Sequence, residues 1–509
     1  MTRYSNHSTD LMGERLTMPK MTLLLAEVVL FALLAVVATT HFGMRDGACI
    51  TVSYLVAYLI PRAVLDRARG TSVTAAVILF VLSALLIGVS YFNLLDWTSA
   101  DGYSLEIPNL KSDAREFYKW ALNHYDGRVE AGRIVFPGFP LMMVGLWKML
   151  GLSVVWPQAM NMMFTLMAVV LTGMTTRRLL VDRVSASDRT LLSGGMLINC
   201  LLFYYLMSGI SILKEPSVYL AIAMAGFALT SMATSDENRH QLYRDILIFA
   251  LACVILAFVR TTYLYFVAVG VIIMTLPHWR RDWMMSLCMF AIVLVTLLIG
   301  NYFASYSFER HAIIIDSGWS MQQEYVDGSN KSVFRRLIGY YFLYSPWHKI
   351  LMLPITLSLQ FLIPFPWLPT NEETQLFNIT TRISYGWYAV GGIALFYYLF
   401  MSWRKEKQLE MWPWWPAISF AVIAYLVAGS VTRYTLPFQP LFIPVVLFVL
   451  CRLHEGFHRK AFTRWSILFI ILLTVSLLVC LEIQYSTISN MLNTQSLVQI
   501  LKSLQLPNL

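Results

Sequence analysis

The chain has 509 residues, of which 58% are hydrophobic and only 13% charged, and its mean hydropathy is +0.61. Soluble domains run about 45–50% apolar and about 25% charged, so this composition excludes a soluble fold and predicts a polytopic membrane protein. The formal net charge of +9 calls for no nucleic-acid partner, because basic loops on one side of a membrane account for it.

Apolar runs of spanning length, roughly 17–22 residues, mark the expected crossings. The first, 21–40, is long enough to span and lacks the small-residue exit of a cleavable signal. Others follow at 48–65, 72–95, 156–176, 190–207, 215–233, 245–259, 262–277, 283–300, 384–402, 412–429, 436–452 and 465–482. The expected fold is therefore one all-α membrane domain over 1–509, with about thirteen transmembrane helices. Residues 136–150 are too short to span and are expected to lie flat at the interface. The shorter apolar pair 346–353 and 355–363, with Pro354, Pro364 and Pro366, fits interfacial helices, a re-entrant hairpin or one broken span.

Lys and Arg set the orientation. This span list puts Arg62, Arg67 and Arg69 on the side of the N-terminal Arg3, Arg15 and Lys20. The same side takes Arg177, Arg178, Arg183, Arg189, Arg280, Arg281, Arg404, Lys405, Lys407, Arg452, Arg459, Lys460 and Arg464. That side is read as cytoplasmic in an inner or plasma membrane. The opposite side receives two large outer loops, 96–150 and 301–382, which would carry the interfacial helices. It also receives short turns with Lys214-Glu215-Pro216, Arg260-Thr261-Thr262-Tyr263 and Thr432-Arg433-Tyr434. Basic residues there run against the usual bias, so each needs a reason.

The outer loop 96–150 is the longest polar run and holds Ser112-Asp113-Ala114-Arg115-Glu116-Phe117-Tyr118-Lys119-Trp120. Asp113 and Glu116, three apart on a helix, share a face. A carboxylate flanked by Phe117, Tyr118 and Trp120 suits a general base that deprotonates a sugar hydroxyl while the aromatics pack on the ring. The same pair equally suits a capping box, with Asp113 at the N-cap and Glu116 at N3. Lys214 can meet a phosphate at the start of a span, where helix amides add partial positive charge. Glu215 and Pro216 also fit an ordinary helix start. Arg260 and Arg433 each sit at an outer span edge beside Thr and Tyr, as phosphate ligands or as side chains snorkelling to headgroups. The second outer loop adds Arg310, Arg335 and Arg336 among charges that otherwise read as a solvated loop.

Other chemistry is not signalled. The six cysteines are isolated in or beside apolar runs, so buried thiols are expected, with no disulfide and no zinc site. A divalent cation could be held by Asp113 or Glu116, although no metal-ligand spacing accompanies them. There is no G-x-x-x-x-G-K-[ST], H-E-x-x-H or G-x-S-x-G motif.

In order along roughly residues 100–450, these pieces resemble the GT-C superfamily of integral membrane glycosyltransferases. The resemblance rests on the acidic first outer loop with Asp113, Phe117-Tyr118 and Trp120. It continues through the short Pro-Gly-Pro-led apolar helix from Phe136 to Gly151 and the span from Asn161 to Arg178. It closes on Glu215 at the start of a later span and on Arg433-Tyr434-Thr435-Leu436-Pro437. Three spans precede the loop where many members have one, and no large soluble C-terminal domain follows. The resemblance implies a polyprenyl-phosphate-linked sugar donor, a glycan, lipid or protein acceptor, and inverting transfer outside the cytoplasm among membrane lipids. In that reading Asp113 matches the base, and Lys214, Arg260 or Arg433 match the residues that hold the lipid phosphate. Glu215, Tyr118 and Tyr434 are further site candidates. Two alternatives stay open: a polysaccharide polymerase or ligase using a polyprenyl-diphosphate oligosaccharide, which would enlist Arg335 and Arg336, and a flippase for lipid-linked glycans.

Overall fold

The computed structural model describes residues 18–110, 112–128, 138–202, 206, 208–234, 239–275, 279–305, 391–395, 397–398, 412–427, 436–456, 460, 462–468, 470–471 and 474. Most of the second outer loop and of the span expected at 384–402, together with Arg335, Arg336, Arg433 and Tyr434, lies outside these residues. All regular secondary structure among the described residues is helical, without a strand. Among the described residues, six helices are long and apolar enough to cross a membrane, as an integral membrane protein requires.

The first is α1 (Met18–Asp66), which turns back on itself at Gly43. Gly43 has φ 81° and ψ 171°, a backbone conformation that only glycine adopts without strain. Beyond the turn, a Cβ at Gly47 would fall 2.5 Å from the Thr39 Cα. Further out, Phe31 and Tyr58 rings sit 5.8 Å apart, and Arg62 Nε lies 3.3 Å from Glu27 Oε1. These pairs recede in opposite directions from Gly43, so the two arms form an antiparallel hairpin that covers the segments expected at 21–40 and 48–65.

After α2 (Val73–Thr98) the chain forms α3 (Ser112–Tyr125) and α4 (Gly138–Leu150). Next comes α5 (Val155–Leu180), which packs against α1, α2 and α4 and, in the bundle that follows, against the helices Asp188–Cys200 and Glu215–Thr234. That bundle comprises α6 (Asp188–Cys200), a 3-10 turn at Ser208–Ile210, α7 (Glu215–Thr234), α8 (Arg239–Arg260), α9 (Thr262–Thr275) and α10 (Trp279–Ser305). Farther along lie α11 (Trp414–Val427), a 3-10 stretch at Leu436–Phe442 and α12 (Ile443–His454). The central helix α5 buries Thr165, Thr172, Thr175 and Thr176. Each hydroxyl donates to the carbonyl four residues back, at 2.8–3.0 Å, so the helix carries polar side chains into the core with their hydrogen bonds satisfied.

Two expected spans are not continuous α-helices. Within 190–207, α6 ends at Cys200, and the chain continues along α5 until Ser211 and Leu213 meet Asn161 near the other end. Polar side chains hold the carbonyls just past this run: Gln158 Nε2 donates to that of Ile210 at 2.9 Å, and Asn161 Nδ2 to those of Ser211 and Leu213 at 2.7 and 2.8 Å. The run 436–452 begins as a 3-10 stretch because Pro437 and Pro440 supply no backbone donor for an α-helical ladder.

The contacts sort the helix ends into two groups. At one end, Arg177 pairs with Asp188 at 2.7 Å, Ser72 bonds Ser193 at 3.1 Å, and Ser185 donates to Glu455 at 2.6 Å. This end gathers Arg62, Arg69, Arg177, Arg178, Arg244 and Arg452. At the other end, the Val154 amide donates to the Leu105 carbonyl at 2.8 Å and α4 meets the end of α8. Loop 96–110, α3 and α4 belong to this second end.

Candidate active site

Helix α3 is amphipathic. Ala114, Phe117, Tyr118, Ala121, Leu122 and Tyr125 recur at helical spacing and form its packed face. The rings of Tyr118 and Tyr125 meet Trp147 of α4 at 4.9 and 6.0 Å, and Phe117 meets Phe139 at 5.9 Å. The Tyr118 hydroxyl donates to the Glu106 carbonyl at 2.7 Å. Burial, and then the nearby Glu106 carboxylate, push its phenol above the ordinary tyrosine range. Tyr118 therefore stays protonated and anchors α3 to the preceding loop.

That packing aims the neighbouring stripe of α3 outward. Asp113 is half-buried, Glu116 exposed, and Trp120 stacks on His124 at 4.7 Å with only 10° between the planes. The helix begins at Ser112, so Asp113 lies inside the first turn rather than at the N-cap that a capping box requires. A carboxylate in this turn is favoured by the positive end of the helix dipole.

Phe117, one turn beyond Asp113, joins this helix to the cationic residues. Lys214 Nζ lies 5.5 Å from its ring centroid, a cation–π contact. Glu215 follows in the first turn of α7 and is only 4% exposed. Its Oε1 sits 3.6 Å from Arg260 Nη1 at the end of α8. The Arg260 guanidinium in turn lies over Tyr263, at 5.2 Å. Tyr263 stacks on Phe438 at 5.7 Å, which brings the segment just after Arg433 and Tyr434 to this end as well. Asp113, Glu116, Tyr118, Lys214, Glu215 and Arg260 thus gather on elements that meet at one end of the bundle.

Two features that hold this site were not singled out as functional by sequence reasoning. The first is the pair Gln158 and Asn161, both fully buried in α5. They grip the carbonyls of Ile210, Ser211 and Leu213, the residues leading directly into Lys214. Tyr54 of α1 donates to Gln158 Oε1 at 2.6 Å and fixes the amide's orientation. Two amide side chains one turn apart in an apolar span were the available signal. The second is Gly138, where a Cβ would fall 2.4 Å from the Phe258 carbonyl oxygen. Only glycine lets α4 come so close to α8 just before Arg260.

Among the described residues, no group of three or more His, Cys, Asp or Glu side chains is placed to hold a metal ion. The end does hold an exposed and a half-buried carboxylate on one helix, two cations, and a buried carboxylate that fixes one of them. Such a set can accept a proton from a hydroxyl and stabilise an anionic leaving group. No protein-family model, curated protein or solved structure matches the chain.

Proposed function

We propose that this chain is a membrane glycosyltransferase of the GT-C type. It moves a sugar from a polyprenyl-phosphate donor to an acceptor hydroxyl on the extracytoplasmic face, with inversion. In this reading about thirteen helices cross the membrane, the N-terminus and the Arg-rich end are cytoplasmic, and the end bearing α3 faces outward. The observation that carries the proposal is the Phe117–Lys214 contact, which joins the carboxylate-bearing helix to the start of α7.

The proposed step is a displacement. Asp113, or Glu116 beside it, takes the proton of the acceptor hydroxyl, and the resulting oxygen attacks the anomeric carbon. The bond from that carbon to the phosphate oxygen breaks, and polyprenyl phosphate leaves with increased negative charge. Lys214 and Arg260 stabilise this charge more in the transition state than in the ground state, as catalysis requires. Glu215 keeps the Arg260 guanidinium in place. Arg433 and Tyr434 are candidates to complete the phosphate site, because Phe438 brings the segment after them against Tyr263.

The test is mass spectrometry of lipids that co-purify with the wild type and with Asp113→Asn. A polyprenyl-monophosphate sugar enriched in the variant supports the reading and names the donor. Bulk phospholipid alone from both proteins overturns it.

A further inference from the structure

The opposite end of the bundle holds a second ionic cluster that takes no part in the proposed transfer. Asp245 of α8 is fully buried. Arg178 Nη1 lies 4.0 Å from its Oδ2, and Arg244 Nη2 lies 3.1 Å from its Oδ1. The Arg178 guanidinium carbon lies over the Phe227 ring of α7, at 4.2 Å from its centroid. Its Nη1 is buried and makes no hydrogen bond among the described residues. Arg177, bonded to Asp188, and Arg69, in the loop after α1, both lie close enough to act on the Arg178 charge. Four guanidiniums thus face two carboxylates, Asp188 and Asp245, an excess of two positive charges among the described residues.

Guanidiniums held in fixed planes match phosphate oxygens. We infer that this Arg69–Arg177–Arg178–Arg244 cluster is an anion site for a phosphate group, supplied by the headgroup of an anionic phospholipid. The lipid source follows from what adjoins it. The cluster sits at the ends of α5 and α8, both of spanning length, so its guanidiniums lie at the level of the headgroups. Along α8, Leu247 and Leu251 share the stripe of Arg244 and are 68% and 51% exposed. A phosphate on Arg244 and Arg69 therefore places an acyl chain along this apolar stripe. The inference rests on membrane embedding alone and is independent of any transferase activity.

Native mass spectrometry of the detergent-purified full chain tests it, using phosphatidylglycerol, phosphatidylcholine and inorganic phosphate as probes. The wild type is expected to retain phosphatidylglycerol over phosphatidylcholine. Each guanidinium contributes about 1 kcal/mol near an anionic surface, so Arg69→Gln should weaken retention about fivefold and Arg69→Gln with Arg244→Gln about twenty-five-fold. Arg69 is exposed, so its single variant keeps the fold while removing one ligand. Displacement of phosphatidylglycerol by an equal concentration of inorganic phosphate would keep the anion site but make free phosphate its source. Equal retention of both lipids, or no change in either variant, overturns the proposal.

Discussion

Glu215 and Arg260 show how one buried charge depends on another. Glu215 is 4% exposed and its described ionic partner is Arg260 at 3.6 Å. Removing one member of a buried pair leaves the other's desolvation uncompensated, which costs about 3–5 kcal/mol. Arg260→Leu should therefore lower stability by that order in a thermal melt of the detergent-solubilised protein. Adding Glu215→Gln should recover part of the loss, and a double variant no more stable than the single would show that the pair is not coupled. Gln158 and Asn161 act on the same site through the backbone. Replacing Asn161 by Leu frees the carbonyls of Ser211 and Leu213, each costing about 1–3 kcal/mol when buried unpaired. Hydrogen exchange should then rise in 210–217 while 165–180 stays protected. Uniform exchange across both segments would refute a local positioning role. At this scale the sequence made the charged residues visible, because charge opposite the basic loops needs a reason. It did not reveal which side chains hold them, because an amide in an apolar span has no partner until the chain folds back.

At the scale of elements, close approach decides where α3 and α4 stand. Gly138 leaves no room for a Cβ against Phe258, whereas a Cβ at Gly145 of the same helix meets nothing within 4 Å. Gly138→Val should therefore push α4 off α8, at about 1–3 kcal/mol. Gly145→Ala should be neutral or gain about 0.5–1 kcal/mol from helix propensity. Equal melting shifts for the two variants would remove the packing argument. The loop between α5 and α6 is tied to the end of α12 by Glu455, whose carboxyl is held below the usual carboxylate range. The main cause is donation from the Ser185 hydroxyl and backbone amide, with Arg452 adding to it. A lowered folded-state value gives stability that is present above the unfolded value, about 4.3, and lost as pH falls through the folded one. The tie should therefore open as pH falls below the unfolded value and through the lower folded one, and Glu455→Gln should abolish that acid-dependent step in a pH series of melts. Element boundaries were legible where hydropathy alone sets them, as in the two arms of α1. Breaks inside the runs 190–207 and 436–452 were not legible, because the end of α6 at Cys200 and the 3-10 start at Leu436–Phe442, where prolines withhold backbone donors, leave no mark on hydropathy.

At the scale of the whole molecule, the separation of two kinds of helix end links sequence to function. Positive-inside counting assigned Arg62, Arg69, Arg177, Arg178 and Arg452 to one side, and contacts between distant segments gather them at one end of the bundle. Those contacts are Arg177 with Asp188, Arg178 with Asp245, and Glu455 with Ser185. The same counting put Asp113, Lys214 and Arg260 together opposite them, where Phe117 and Gly138 bring their elements into contact. This much was legible because loop charge and span length act over whole segments and do not depend on side-chain geometry. The direction of the bundle in the membrane is a separate matter, and it follows from where each end can be reached. Lys119 on α3 and Arg69 after α1 are both exposed and lie at opposite ends. In intact cells, a membrane-impermeant maleimide should label Lys119→Cys at once and Arg69→Cys only after permeabilisation, in a chain whose native cysteines are replaced. Labelling of both from outside would contradict the two-ended arrangement. Labelling of Arg69→Cys alone would put α3 in the cytoplasm and end the case for a lipid-borne donor, because soluble nucleotide sugars could then reach Asp113 directly.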